Sequence, residues 1–140
     1  MIKAVVRKLW QREWDAGSTG RHYHSIQPTV GVRGGGGRCR REEVVLARLR
    51  LGHTGLRSTL FMMARCATEL CEVCNVPETV EHVLLRCSRY LRERAILRSR
   101  LSELGQGWSL PGILGSGMNV RDSGRALFAF LRATGLDCRI

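Results

Sequence analysis

A chain of 140 residues that is 44% hydrophobic but only 6% aromatic has room for one small domain and excludes a large aromatic-rich core. Its net charge of +11 is almost entirely arginine, Lys3 and Lys8 being the only lysines, which points to a polyanionic partner, most simply nucleic acid. The six cysteines follow no apolar leader, and no stretch approaches the ~18 apolar residues of a membrane span. A disulfide framework and a membrane protein are therefore excluded in favour of a reducing intracellular setting, nuclear or cytoplasmic.

Residues 2–16 are predicted helical. Ile2, Val5, Val6 and Leu9 form one stripe, Trp10 and Trp14 run along its edge, and Gly17 ends the element. Two tryptophans on so short a helix need a packing partner, so segment 1–16 reads as a remnant of, or closure to, a preceding domain. Residues 17–41 read as a flexible basic linker: Gly17, Gly20, Gly31 and Gly34 to Gly37 are interspersed with Arg21, Arg33, Arg38, Arg40 and Arg41. His22, Tyr23 and His24 are expected to be solvated there. The glycine run lacks the G-x4-G-K-[ST] pattern of a phosphate loop.

Residues 42–140 read as an α-helical metal-binding domain. In a helix over 42–51, Val45, Leu46 and Leu49 share one face, Val44 and Leu51 lie opposite, and Gly52 ends it. Thr54 is a cap candidate for a short helix carrying Leu56, Leu60, Phe61 and Met63. Asn75 and Glu78 have capping-box spacing, with Thr79 as a rival cap, ahead of the stripe Val80, Val83 and Leu84. That helix is expected to end near Arg86, with Ser88 capping a helix to residue 104 whose stripe is Tyr90, Leu97, Leu101 and Leu104. Arg94 falls inside this stripe without explanation. A loop over 106–117 contains a helical turn at Leu110–Leu114, and a last helix over 120–134 buries Leu127, Phe130 and Leu131 before Gly135. No period-2 pattern occurs, so the predicted fold is mainly α.

The chemistry concentrates in Cys71-x2-Cys74-x7-His82-x4-Cys87. Two cysteines two residues apart can turn both sulfurs toward one metal, and a His and a Cys can complete a tetrahedron. Such a closed thiolate–imidazole set suits structural Zn²⁺ and leaves no open position for a substrate. Cys66 and His53 are alternative ligands. His82 and Cys87 are five residues apart, about 140° around a regular helix, so Cys87 is expected to leave the helix and bend back to the metal. Cys39 and Cys138 read as free thiols. No partnered nucleophile and no carboxylate cluster able to hold two Mg²⁺ ions is visible, so an enzyme is not expected.

The densest basic surface is Arg86, Arg89, Arg92, Arg98 and Arg100, with Arg38, Arg40 and Arg41 as a second hand. These are the candidate nucleic-acid contacts, weighed against a merely solvated helix face. A rival reading is a protein-interaction module that docks through Trp10, Trp14 and the 42–51 helix, and a third is a poorly folded relic fragment with no function. No small-molecule ligand and no membrane partner is expected.

Three runs carry a resemblance: residues 41–56 (Arg41-Glu-Glu-Val-Val-Leu-Ala-Arg-Leu-Arg-Leu-Gly-His-Thr-Gly-Leu), Cys71-Glu-Val-Cys74, and Glu78-Thr-Val-Glu-His-Val-Leu-Leu-Arg-Cys87. Together they resemble the CCHC zinc-binding tail that follows the reverse transcriptase, and often a ribonuclease H domain, in non-LTR (LINE-type) retrotransposon polyproteins. The run Trp10-Gln-Arg-Glu-Trp14-Asp looks like the segment joining ribonuclease H to that tail. The resemblance covers about residues 1–100 and nothing firm beyond 105. It implies zinc on Cys71, Cys74, His82 and Cys87 and a grip on element RNA or target DNA, with reverse transcriptase and ribonuclease H domains as neighbours. The catalytic carboxylates of those enzymes have no counterpart here, so the chain resembles a non-catalytic fragment of such a polyprotein.

Overall fold

A computed structural model describes residues 2–32, 39–115 and 121–140. The fold is mainly α: α1 (Ile2–Ala16), α2 (Arg21–Ile26), α3 (Arg40–Leu51), α4 (Arg57–Met62), α5 (Leu91–Glu103), α6 (Leu110–Leu114) and α7 (Asp122–Thr134). A π-helical turn, His82–Arg86, and 3-10 turns at Ser88–Tyr90 and Leu136–Cys138 connect them. Among the described residues there is no strand, only an isolated antiparallel bridge between Leu70 and Pro77. No helix among them is long and apolar enough to cross a membrane.

Two helix ends fall where the backbone demands glycine. Gly52 and Gly135 close α3 and α7 at φ of 73° and 72°, a left-handed conformation that costs other residues a Cβ clash. The core lies between α5 and α7, which pack along one another, and extends to α3 and α6. Leu97 and Leu101 from α5 and Leu127, Phe130 and Leu131 from α7 are buried there, with Tyr90 meeting Phe130 edge-on at 6.3 Å. Leu110, Ile113, Leu114, Leu136 and Ile140 are buried too, so described residues beyond 105 contribute to the core.

The expectation of a flexible linker over 17–41 is corrected across its first half. Residues 21–26 form α2, and Ile26 is buried against α3 and α6. His22 Nε2 lies 2.9 Å from the Leu49 carbonyl, and the Trp14 indole N–H donates to the Gln27 carbonyl at 3.1 Å. Gln11 donates to the Pro28 carbonyl and accepts from the Val30 N–H, closing α1 and α2 into a hairpin. Tyr23 and His24 stand against Trp14 rather than in open solvent. One buried isoleucine and a few side-chain-to-backbone bonds order a segment whose glycine content reads as loop. Residues 33–38, with Arg33, Arg38 and the Gly34 to Gly37 run, lie outside the described residues.

Three cap expectations are also corrected. Thr54 lies three residues ahead of α4 and accepts only the Leu56 N–H. Instead Glu78, distant in sequence, supplies the cap: its carboxylate accepts the Arg57 N–H at 2.9 Å and its carbonyl accepts the Ser58 hydroxyl at 2.9 Å. Glu78 is thus unavailable for a capping box with Asn75, which occupies a left-handed turn at φ 55°. Thr79 takes the cap, accepting the His82 N–H at 3.1 Å. Ser88 caps no helix; it lies in the 3-10 turn and turns toward Cys74.

Candidate metal centre

Cys71 and Cys74 sit on a tight turn. The Cys71 N–H donates to the Val76 carbonyl at 2.8 Å and the Asn75 N–H donates back to the Cys71 carbonyl at 2.9 Å. This short loop, pinched by the Leu70–Pro77 bridge, turns both sulfurs inward. Opposite it, the chain enters a helical turn at Val80 and widens to π geometry over His82–Arg86. The Cys87 N–H bonds to the His82 carbonyl, five residues back, at 2.7 Å. A π turn advances each residue through less than the ~100° of an α-helix, which brings residues five apart toward one side. Cys87 then leaves the helix at ψ 124°. The expected exit after Arg86 is what the structure shows, and the π turn supplies the rest of the rotation.

The four side chains converge. Their ligand atoms all lie within 4.8 Å of one another, and among the described residues no other group of Cys, His, Asp or Glu does this. The Cys87 sulfur stands 3.8 Å from that of Cys71 and 3.9 Å from that of Cys74. A disulfide requires about 2.05 Å, and all six cysteines are free. Thiolates about 2.3 Å from a tetrahedral ion stand about 3.8 Å apart, so the separations fit four ligands around one metal. His82 adds an independent sign: its Nε2 is buried with no hydrogen-bond partner. A buried polar atom without a partner is costly, and a metal ion relieves that cost. Cys71, Cys74, His82 and Cys87 can therefore hold a metal ion.

The local electrostatics differ ligand by ligand. Hydrogen bonds from the Ser88 hydroxyl (3.2 Å) and N–H (3.4 Å) bring the Cys74 thiol down to about 7. Burial pushes the Cys87 thiol up to about 11, against a weaker lowering by the Arg89 N–H. Burial also lowers the His82 pKa, only partly opposed by the Glu78 charge, which keeps the imidazole neutral and able to ligate. Neither alternative ligand joins them. The Cys66 thiol donates to the Thr68 carbonyl at 3.2 Å, and His53 is exposed at the end of α3.

Arg94 is the residue beside the cluster that the sequence pattern leaves unexplained. It is only 7% exposed. From α5 its Nε donates to the Leu84 carbonyl at 3.0 Å, and its Nη2 donates to those of Cys87 at 2.5 Å and Val83 at 3.3 Å. The π turn frees carbonyls at its end, and this guanidinium ties them down. A cation inside an apolar helical stripe, seven residues after the last cysteine ligand, was the available signal.

The candidate nucleic-acid arginines do not form one face. Arg86 pairs with Glu81 at 3.0 Å and Arg89 with Glu72 at 3.1 Å, while the Arg98 guanidinium lies over the Trp108 ring at 5.7 Å. On α5, Arg92 and Arg100 are separated by about 80° and Arg98 lies about 160° from Arg100. All are exposed. Arg40 and Arg41 form the first turn of α3, where Arg41 faces Asp137 at 3.6 Å, and with Arg48 and Arg139 they line a groove floored by Val44 and Val45. Arg38 lies outside the described residues. The fold and the centre define a small, mainly α domain with a Cys3His cluster that can hold a metal ion. No protein family, no curated protein and no solved structure matches this chain.

Proposed function

We propose that this chain is a non-catalytic, zinc-stabilised nucleic-acid-binding module derived from the tail of a non-LTR retrotransposon polyprotein. The convergence of Cys71, Cys74, His82 and Cys87 within 4.8 Å carries the reading. Three soft sulfurs and one imidazole at tetrahedral separations favour Zn²⁺ over hard cations. Zinc holds the 71–74 turn against the 80–87 segment and so fixes the start of α5. Charge supplies the ligand class: a net +11 carried mostly by arginine suits phosphate backbone. Arg92, Arg98 and Arg100 on α5, with Arg86 and Arg89 ahead of it and Arg40 and Arg41 on α3, are the proposed phosphate contacts.

One observation favours a second reading, an interaction tail that packs on a polymerase or ribonuclease H partner. Ile2, Val5, Val6 and Leu9 of α1 are all more than half exposed. Salt separates the two, because phosphate binding falls steeply from low to physiological salt and an apolar interface does not. The primary test is metal content after purification without added zinc, with helicity followed before and after chelation. One zinc per chain, and helix lost both on chelation and in Cys74→Ser, is the expected result. Metal-free protein with unchanged helicity would overturn the zinc reading.

A further inference from the structure

The hairpin of α1 and α2 builds a second feature, remote in sequence from the metal centre. Trp10, Trp14 and Tyr23 line a cleft of about 480 Å³, closed by Gln27, Thr29, Val30, Gly31 and Val32. The volume lies within the range of small-ligand pockets, about 300–1,000 Å³. Three of the chain's eight aromatic side chains therefore meet at one opening. Trp14 is fixed: its N–H bonds to Gln27, Tyr23 meets it edge-on at 6.0 Å, and the Arg21 guanidinium covers it at 5.4 Å. Trp10 is not covered and remains 54% exposed.

Spacing gives the cleft its chemistry. Lys3, Arg7, Trp10 and Trp14 succeed one another at i, i+4, i+7 and i+11, so they fall within about 60° on one side of α1 along about 16 Å of its length. The Arg7 guanidinium also lies against Gly31 at the cleft wall. Two cations followed by an open indole face form the pattern that tracks a single strand: charges follow phosphates and the ring stacks on a base. None of the cleft residues is a carboxylate, and the neighbouring cations disfavour a quaternary ammonium guest.

We propose that this cleft receives an unstacked nucleobase of a single-stranded nucleic acid, which stacks on Trp10 while Lys3 and Arg7 hold the flanking phosphates. The proposal rests on the nucleic-acid reading above and narrows it to single strands. The test measures binding of full-length zinc-loaded protein to labelled oligo(dT), to an abasic strand of equal length, and to a duplex of equal phosphate count, at one salt concentration. Oligo(dT) is expected to bind tightest. Trp10→Ala should weaken oligo(dT) about tenfold and leave the abasic strand unchanged. Lys3→Gln should weaken both strands alike. Both side chains are exposed, so the variants should keep the wild-type circular dichroism. Equal binding of oligo(dT) and the abasic strand, or equal loss from both in Trp10→Ala, would overturn the base pocket while leaving backbone binding intact. No binding to any strand would overturn both readings. Tryptophan emission that shifts with protein concentration alone in the wild type, and not in Trp10→Ala, would assign the cleft to a second copy of the chain and reject the base.

Discussion

At the scale of single residues, the metal centre shows how neighbours set the character of each ligand. Cys74 and Cys87 have the same side chain, yet Ser88 brings one down to about 7 and burial pushes the other up to about 11. A lowered thiol pKa means more thiolate at neutral pH, and the thiolate is the form that reacts. Iodoacetamide at neutral pH should modify both thiols once a chelator has removed the metal and neither while zinc is bound, read by peptide mass spectrometry. No protection by zinc would count against the assigned ligand set. The four ligands were legible in the sequence because their spacing is a local property. Ser88 was legible only as a cap candidate, because its role depends on Cys74 arriving from fourteen residues away.

At the scale of elements, the π turn and α5 act as a unit. The x4 gap between His82 and Cys87 is incompatible with a regular helix carrying both ligands, and that much follows from angular arithmetic. How the conflict is resolved depends on Arg94, which gathers the carbonyls of Val83, Leu84 and Cys87 from the next helix. Arg94→Met keeps an apolar stem but leaves those carbonyls without their donor, and is expected to cost about 2–3 kcal/mol in urea unfolding. Zinc affinity, measured by chelator competition, should fall with it. Arg94→Lys should not restore either, since an ammonium lacks the planar fork that reaches three acceptors. Wild-type stability and affinity in Arg94→Met would remove Arg94 from the site. The same logic explains the caps: α4 takes its cap from Glu78, and no local pattern encodes a cap that crosses the fold.

At the scale of the whole molecule, the end of the chain is tied to the metal segment. The Glu78 carboxylate is 3% exposed; burial alone would raise its pKa, but the Arg139 guanidinium and the Arg57 N–H outweigh that and hold it below the usual range. Arg139 reaches it at 2.6 Å, the Gly55 N–H bonds to the Arg139 carbonyl, and Arg48 donates to the Ile140 carbonyl. A Cβ on Gly55 would lie 2.5 Å from that Arg139 oxygen, so the close approach requires glycine. A protein ending at residue 104 would keep every metal ligand yet lose α7, which covers Leu97 and Leu101. It is expected to show no cooperative thermal transition by circular dichroism even with zinc present. A sharp melt from that fragment would show the metal segment to be autonomous.

The mainly α character, most helix positions and the glycine stops were determined by the sequence itself, because each rests on residues within a turn or two of one another, and the Cys3His set was legible as a spacing over residues 71–87. Tertiary structure decided the rest. Ile26 ordered a glycine-rich stretch by entering the core, Arg94 became a clamp because a π turn offered it carbonyls, and Glu78 became a cap and an ion-pair partner at once. Glu72 engaged Arg89 and Trp108 engaged Arg98, although the spread of Arg92, Arg98 and Arg100 around α5 already lay in their spacing. The physical reason is common to all four. Helical periodicity and ligand spacing are energies of neighbouring residues, whereas burial, capping across the fold and charge pairing depend on which segments meet, and that is set only when the chain closes on its core.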